Sequence, residues 1–365
     1  MGYQLDSLPL QALIAPVART TEVLVRLDER LARSPVREGF LERAHFHDAA
    51  AALWLEGELV HLEDLVLHDA HMDIRSPTHE LTRAHAVLRA RRQILSHPPD
   101  WALGREGLRR LTGRVGTGAQ DDQKEEGAAA DVKDGEEAED DPLAEEFAAI
   151  DAVLERSKKI LYGVDARPSP TPAERPSLVY DLDWDEDARL GQWQDLADGT
   201  RDLPIALRAA VLLDAWYDIE VLQHAAWLGP LLVAALLRRE GLAANHLASL
   251  HLGAQKIPRE RRRARGQTER LLAFLDAIHE AAVAGLKEHD RLVLAKSLME
   301  RRLRNRRASS KLPELVELVL SRPLVSTTLI QEKLKVSRQG ALNLVGELNL
   351  REMTGRGRYR AWGIV

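Results

Sequence analysis

The chain has 365 residues, of which 45% are hydrophobic, 30% are charged and none is cysteine. The absence of cysteine excludes disulfide bonds, thiolate nucleophiles and any zinc or iron–sulfur site with cysteine ligands. Aromatic residues make up only 4%, and the apolar residues are mainly leucine and alanine, so the composition favours helices over strands and predicts an all-α fold.

The 51 Lys and Arg and 57 Asp and Glu give a net charge of −6, but they are unevenly distributed. Residues 256–365 contain 24 basic against 12 acidic side chains, whereas residues 1–255 contain 27 against 45. A basic C-terminal part joined to an acidic remainder indicates contact with a polyanion. The patterns described below divide the chain into segments 1–114, 115–144, 145–310 and 311–365.

Residues 1–114 are predicted to form the N-terminal part of a helical core. No signal peptide is recognisable in residues 1–13. Apolar residues recur at helical spacing in three long segments and in a shorter one around Leu65, and Thr78 or Ser76 offers a cap for the last of them. The predicted helices are Val17–Leu31, Glu42–Glu56, Leu62–Val66 and Glu80–Leu95.

The next segment is strongly acidic. Residues 117–144 contain 11 acidic and 2 basic side chains and few large apolar ones. Such a segment buries too little surface to offset the entropy cost of ordering it, so residues 115–144 are predicted to be a disordered acidic linker. The linker is either a solvated tether or a competitor of nucleic acid for the basic C-terminal part.

Residues 145–310 are predicted to form the second part of the helical core. The helices expected are Glu145–Leu161, Pro204–Tyr217, Ala225–Arg239, Gln267–Ala284 and Asp290–Arg307, with a proline-rich loop at Arg167–Pro176. Ala225–Leu237 is the longest apolar run and is too short to span a bilayer, so no membrane contact is expected. The basic segment 256–265 (KIPRERRRAR) is a phosphate-contacting loop or a helix start on a dimer surface.

The last segment, 311–365, carries a helix-turn-helix pattern. An apolar helix at Leu312–Leu320 is followed by a second helix at Leu329–Leu334, with Ser326 as a possible cap. A tight turn at Lys335–Ser337 then leads to a third helix, Arg338–Leu348. Short helices joined by a turn of three or four residues are typical of this motif.

Two predicted strands, Leu350–Met353 and Tyr359–Ile364, follow the third helix and are joined by the glycine-rich sequence TGRGR. A basic hairpin in this position is typical of the wing of a winged helix, which contacts phosphates or a minor groove. The alternative is a winged helix used only for protein contacts. The predicted DNA contacts are Ser337, Arg338, Gln339 and Asn343 of the third helix, Arg356 and Arg358 of the wing, and Arg304 and Arg307 of the preceding basic helix.

The helical part resembles Fic-domain proteins. Phe46–Gly57 (FHDAAAALWLEG) followed by His61–Leu67 (HLEDLVL) is similar to their N-terminal helices, with Glu56 and Gly57 in the inhibitory Glu-Gly position but Ala52 where they have Ser or Thr. Residues 229–241 (GPLLVAALLRREG) are similar to the Fic helix that begins Gly-Arg-Leu-Leu. The resemblance implies a Fic-like helical core before the winged helix, a combination that also resembles an uncharacterised family common on rhizobial plasmids.

The Fic motif itself, His-Pro-Phe-x-Asp-Gly-Asn-Gly-Arg-x-Gly-Arg, is lost. In a gapless alignment from Gly229, the catalytic His, the metal-binding acid, the Gly-Asn-Gly phosphate loop and the two arginines fall on Ile219, Gln223, His224, Ala225, Ala226, Trp227 and Pro230. Since that chemistry needs a base, a cation site and phosphate-binding donors, the resemblance implies a catalytically silent core without a cofactor. A divergent Fic-type nucleotidyltransferase and an antitoxin-like protein whose Glu56 helix acts on another chain are the alternatives.

Two further groups of residues contain side chains that can bind metal ions. The histidines are His45, His47, His61, His68 and His71, but metal sites need three or four convergent ligands, and the spacing fits ordinary surface or core histidines better. The acidic sequence DLDWDED at 181–187 lacks the glycine and terminal glutamate of an EF-hand and is expected to be a solvated turn. Trp54, Trp216 and Trp227 are expected in the core.

Taken together, the patterns predict a cytoplasmic protein that binds double-stranded DNA in a sequence-specific manner, as a transcriptional regulator. The helical core is expected to mediate homodimerisation or to sense an unknown small-molecule effector, since dimers commonly read two half-sites of an operator.

Overall fold

The computed structural model describes Tyr3 and residues 8–71, 76–113, 184–303, 311–353 and 360–364. Within these ranges the protein is helical, with one small sheet near the C-terminus, which confirms the predicted all-α fold. The predicted acidic linker at 115–144, the helix at Glu145–Leu161 and the loop at Arg167–Pro176 lie outside the described residues, and so do the hairpin tip and its arginines.

The N-terminal helices form at the segments with helical apolar spacing. They are α1 (Leu10–Ala32), α2 (Arg37–Leu55), α3 (Leu62–Asp69), α4 (His79–Ser96) and, after a 3₁₀ turn at Trp101–Leu103, α5 (Arg105–Leu111). Thr78 caps α4 as predicted, because its hydroxyl accepts from the Leu81 amide at 3.3 Å. Trp54 was expected in the core but is 46% exposed, since it lies on the outer face of the last turn of α2.

The second part of the body comprises α6 (Glu186–Gly199), α7 (Ile205–Ile219), α8 (Leu228–Arg239), α9 (Leu250–Ala254), α10 (Arg259–Arg262) and α11 (Gln267–Leu303). Helices α7 and α8 are buried in the centre of the core, as their continuous apolar sequences predict. Gly229 lets them approach closely, because a Cβ there would lie 2.3 Å from the Trp216 ring. The expectation of a solvated turn at 181–187 was wrong for Glu186 and Asp187, which begin α6, and Asp185 caps this helix by accepting from the Ala188 amide. Residues 181–183 lie outside the described residues.

Helix α11 is one continuous helix of 37 residues, so the prediction of two separate helices was wrong. The sequence between Ala284 and Asp290 holds only one weak helix breaker, Gly285, and packing against the body holds the helix together there. A Cβ at Gly285 would lie 2.6 Å from a methyl group of Leu27 in α1. The glycine therefore serves close packing and does not end the helix.

The C-terminal segment folds as a winged helix. It contains α12 (Leu312–Ser321), β1 (Val325–Ser326), α13 (Thr327–Leu334), α14 (Arg338–Leu348), β2 (Arg351–Glu352) and β3 (Ala361–Gly363). The sheet order is β1-β3-β2 and both pairings are antiparallel, with Val325 opposite Trp362 and Arg351 opposite Gly363. The predicted strands of the wing are confirmed in shorter form, whereas β1 was not predicted because it has only two residues.

Candidate nucleic-acid interface

The turn between α13 and α14 has the geometry that the sequence predicted. Lys335 ends α13 in the left-handed region with φ of 56°, and Val336 packs partly buried against the core. Ser337 caps α14, since its hydroxyl accepts a hydrogen bond from the Gly340 amide at 3.1 Å. These three residues fix the angle at which α14 leaves the turn.

Helix α14 separates into an inner and an outer face. Ala341, Val345 and Leu348 are buried in the winged-helix core, and Leu344, also predicted to face inward, is half-buried. The outer face of its N-terminal half consists of predicted DNA-contacting residues, all exposed: Ser337, Arg338, Gln339 and Asn343. The Gln339 amide donates to the Asn343 carboxamide oxygen at 3.0 Å, so the two side chains are held side by side. No part of the described body covers this face.

The outer face of α14 is accompanied by unpaired cations that the sequence analysis did not single out. Lys333, Lys335 and Arg351 are exposed, as is Arg338, and none of the four forms an ion pair or side-chain hydrogen bond with another described residue. Free cations are the groups that neutralise phosphates. Their positions directly flanking the turn and starting the wing could have been read from the sequence.

The base of the wing is internally braced. The Arg360 guanidinium donates to the Glu352 carboxylate from Nε at 2.8 Å and lies over the Trp362 ring at 5.5 Å from its centroid. This ion pair joins the two strands and raises the pKa of Arg360 through the Glu352 hydrogen bond. The predicted wing contacts Arg356 and Arg358 lie outside the described residues, as do Arg304 and Arg307.

Basic residues at the end of α11 serve the docking of the winged helix. Lys296 donates to the Pro35 carbonyl at 3.3 Å and to Glu317 at 2.8 Å, and Arg302 donates to the Leu348 carbonyl at the end of α14. In the described part of this basic segment, Lys296 and Arg302 are therefore engaged within the protein. Both cations lie where α11 runs beside the winged helix, and they bind groups of that domain.

A buried arginine fixes α12 to the body. Arg43 is 1% exposed and donates to the Leu320 carbonyl from Nε at 3.0 Å and to the Val319 carbonyl from Nη2 at 2.7 Å. These are the carbonyls at the C-terminal end of a helix, which need external donors. Burial lowers the pKa of Arg43 to about 10, so it is charged at neutral pH. Gly39 leaves room for this contact, because a Cβ there would lie 2.5 Å from the Leu320 oxygen.

Two further contacts hold the winged helix. Arg291 of α11 donates to the Ile364 carbonyl at 2.7 Å, next to the end of β3. Arg322, which follows α12, lies 3.4 Å from the Asp69 carboxylate of the body. Most of these anchors lie on α12 or beside the sheet, and the one on α14, from Arg302, lies at the C-terminal end of that helix. The outer face of the N-terminal half of α14 is therefore left exposed.

The region that aligns with the Fic motif buries apolar side chains at both ends, whereas His224 within it is exposed. Ile219 is 7% exposed and Trp227 is 5% exposed, and the Trp216 indole donates to the Ala226 carbonyl at 3.1 Å. His251 binds the Trp227 carbonyl at 3.0 Å. Glu56, at the inhibitory position of the Fic resemblance, pairs with Arg83 of the same chain.

The histidines of the body do not assemble a metal centre in the described ranges, where no group of three or more His, Asp and Glu is placed to hold a metal ion. His45 is buried, and burial lowers its pKa well below the ordinary value, so it is neutral. His68 and His85 stack edge to face at 4.7 Å, and His85 lies 3.4 Å from Asp69. Likewise, no helix in the described part of the chain is long and apolar enough to cross a membrane.

Comparison with known proteins identifies two parts of the chain. Residues 178–304 match a family described as a protein of unknown function (DUF1612), and residues 312–365 match an HTH DNA-binding domain. The uncharacterized protein y4cF of Sinorhizobium fredii is 51% identical over 383 aligned positions, which cover all of both chains. The chain belongs to the family of y4cF. In this y4cF-like protein the C-terminal segment is a helix-turn-helix DNA-binding domain, as predicted, whereas the likeness of the helical body to Fic proteins stays a prediction.

Proposed function

We propose that this y4cF-like protein is a sequence-specific double-stranded DNA-binding protein that regulates transcription by occupying an operator. The observation that carries the proposal is the exposed outer face of the N-terminal half of α14. It bears Arg338, with Lys333 and Lys335 beside it, and none of the three pairs with a described residue, while the anchors of the winged helix lie elsewhere. A helix with this exposure fits the major groove, where side chains at its N-terminal end reach base edges.

Each predicted contact has a role that suits its chemistry. Arg338 reaches guanine or a phosphate, and the paired amides of Gln339 and Asn343 suit adenine, which presents one donor and one acceptor in the major groove. Ser337 lies at the helix N-terminus, a favourable place for a phosphate. The remaining predicted contacts go to the minor groove or to phosphates: Arg356 and Arg358 of the wing, and Arg304 and Arg307 before α12.

The proposal is tested by selecting binding sites from random duplexes and comparing variants on the selected site in a gel-shift titration. We expect Arg338→Ala to weaken binding by about 1–3 kcal/mol, the usual worth of a specific base contact. Arg19→Ala is the matched control, because Arg19 is an exposed, unpaired arginine of the body. Equal affinity of wild type and Arg338→Ala contradicts the assignment of α14 as the reading helix.

A homodimer is part of the proposal, because each chain supplies one recognition helix and an operator with two half-sites needs two. The exposed apolar side of α11 favours a second copy as its cover, since Leu294 is 60% and Leu298 is 46% exposed. We expect a dimer in light scattering and a monomer for Leu294→Lys. A wild-type monomer at assay concentrations contradicts this part.

We further propose that the helical body is catalytically silent. The support is chemical: buried Ile219 and Trp227 stand where Fic proteins have the base and an arginine, and neither can accept a proton or bind a phosphate. Incubation with labelled ATP and Mg²⁺ tests this. We expect no covalent label on the chain, and label transfer to it contradicts the proposal.

A further inference from the structure

A cavity of about 240 Å³ lies between α1, α2, α11 and residues 246–256. Its walls are mostly apolar, with Leu24 and Leu27 from α1, Phe40 from α2 and the alanines of α11 around Ala284. An apolar cavity of about 150 Å³ accommodates a benzene ring. This cavity therefore has room for an aromatic ring with small substituents, and it is too small for a nucleotide.

Among the charged residues that line the cavity, the one without an ion-pair partner in the described residues is the cation Lys256. Lys256 is exposed at the rim. The Glu288 carboxylate, by contrast, already accepts from Arg291 at 2.8 and 2.7 Å. Burial lowers the pKa of His47, so that ring is neutral near neutral pH. An anion is thus favoured over a cation at the rim.

We propose that this cavity binds a small aromatic carboxylate. The ring packs among the leucines, Phe40 and the alanines, and the carboxylate pairs with Lys256. The two features of the ligand correspond to the apolar wall and to the lysine that pairs with no described residue.

The cavity is connected to the winged helix through Glu288. This residue lines the cavity, pairs with Arg291 and lies 3.9 Å from Arg43. Arg43 and Arg291 in turn bind the carbonyls of α12 and Ile364 that hold the winged helix. Occupancy of the cavity is therefore expected to change the docking of the DNA-binding domain. This regulatory step rests on the proposed function, whereas ligand binding does not.

The binding site is tested by calorimetric titration of the full chain with phenylacetate in the absence of DNA. We expect saturable binding of one molecule per chain. Phenethylamine, which keeps the ring but carries a positive charge, should show no saturable binding. Failure of phenylacetate to bind, or equal binding of phenethylamine, overturns the proposal.

Variants place the ligand. Ala284→Leu fills the cavity and should abolish binding, and Lys256→Gln should weaken it about threefold to fivefold, as for an exposed ion pair. Lys287→Gln is the matched control for Lys256→Gln, because Lys287 is an exposed lysine of α11 that does not line the cavity. Circular dichroism checks that Ala284→Leu is folded, and Lys256→Gln tests the site independently of that packing change. Wild-type affinity in both variants overturns the location.

The coupling is tested by repeating the gel-shift titration with saturating phenylacetate. We expect DNA affinity to change about fivefold or more in the wild type, the usual lower range of allosteric coupling, and not in Ala284→Leu. Ligand binding without any change in DNA affinity overturns the regulatory step and leaves the site. Absence of DNA binding both with and without the ligand contradicts the proposed function instead, while the calorimetric result is unaffected.

Discussion

Asp69 is one of the body residues that form an ion pair with the C-terminal segment. Its carboxylate accepts from Arg92 at 2.5 Å and lies 3.4 Å from both His85 and Arg322. Burial raises the pKa of Asp69, but the hydrogen bonds from His85 and Arg92 outweigh it and hold the pKa below its ordinary value. The folded state therefore favours the ionised form.

This shift predicts a dependence of stability on pH. Because the pKa of Asp69 is lower in the folded chain, its contribution is fully present above the unfolded value and is lost as pH falls through the folded value. We expect Asp69→Asn to lower the free energy of unfolding at neutral pH by about 2 kcal/mol. The loss should shrink below pH ~4, near the ordinary pKa of Asp.

Urea unfolding at several pH values measures this effect. Asp195→Asn is the control, because Asp195 is exposed and its side chain binds no other described residue. A loss in Asp69→Asn that is independent of pH contradicts the charge argument.

Gln339 and Asn343 are predicted to determine sequence preference more than affinity. Their side chains are neutral, so they add nothing to the attraction of phosphates, whereas paired amides discriminate between bases. We expect Gln339→Ala and Asn343→Ala to relax selectivity at one or two base pairs by about 1–3 kcal/mol each. Competition between selected and random duplexes measures this. An equal loss on both duplexes would count against a role in base readout.

At the scale of elements, two helical glycines give a matched pair. Gly39 lies in α2 directly below Leu320, whereas Gly191 in α6 has open space where a Cβ would be. We expect Gly191→Ala to stabilise the chain by about 0.5–1 kcal/mol, the usual gain in a helix. Gly39→Ala should destabilise it, because the methyl group displaces α12 from its contact with α2.

Thermal unfolding measures the stability of the two variants, and hydrogen exchange at the α12 amides measures how firmly α12 is held in each. Faster exchange in α12 is expected for Gly39→Ala alone. Stabilisation by Gly39→Ala would show that α12 does not dock on α2 as described.

Helices whose stability comes from one regular apolar stripe were predictable, as α1, α4 and α14 show, and so was the cap at Thr78, one of the two residues that the sequence offered there. The turn before α14 and the exposed face of that helix were predictable from the same pattern. The continuity of α11 was not predictable, because it depends on how Gly285 packs against Leu27 in a distant helix. Nor was the docking of α12, which depends on a buried arginine that sequence patterns assign to the surface.

At the scale of the molecule, the winged helix and the body share one continuous hydrophobic core. The buried Arg43 binds the backbone of α12, and the half-buried Arg291 binds the backbone near β3, so the body holds the DNA-binding domain at a fixed orientation. This arrangement presents α14 outward, and it gives the body a direct means of acting on DNA binding.

The central claim is that the outer face of α14 binds duplex DNA through basic side chains that pair with no described residue. Fluorescence anisotropy of the full chain with a labelled duplex, over a series of salt concentrations, tests it most directly. We predict that the logarithm of the binding constant falls linearly with the logarithm of salt concentration, and that Arg338→Ala reduces the slope by about 1 while Arg19→Ala leaves it unchanged. Absence of duplex binding at low salt, or a slope that Arg338→Ala does not alter, would contradict the account.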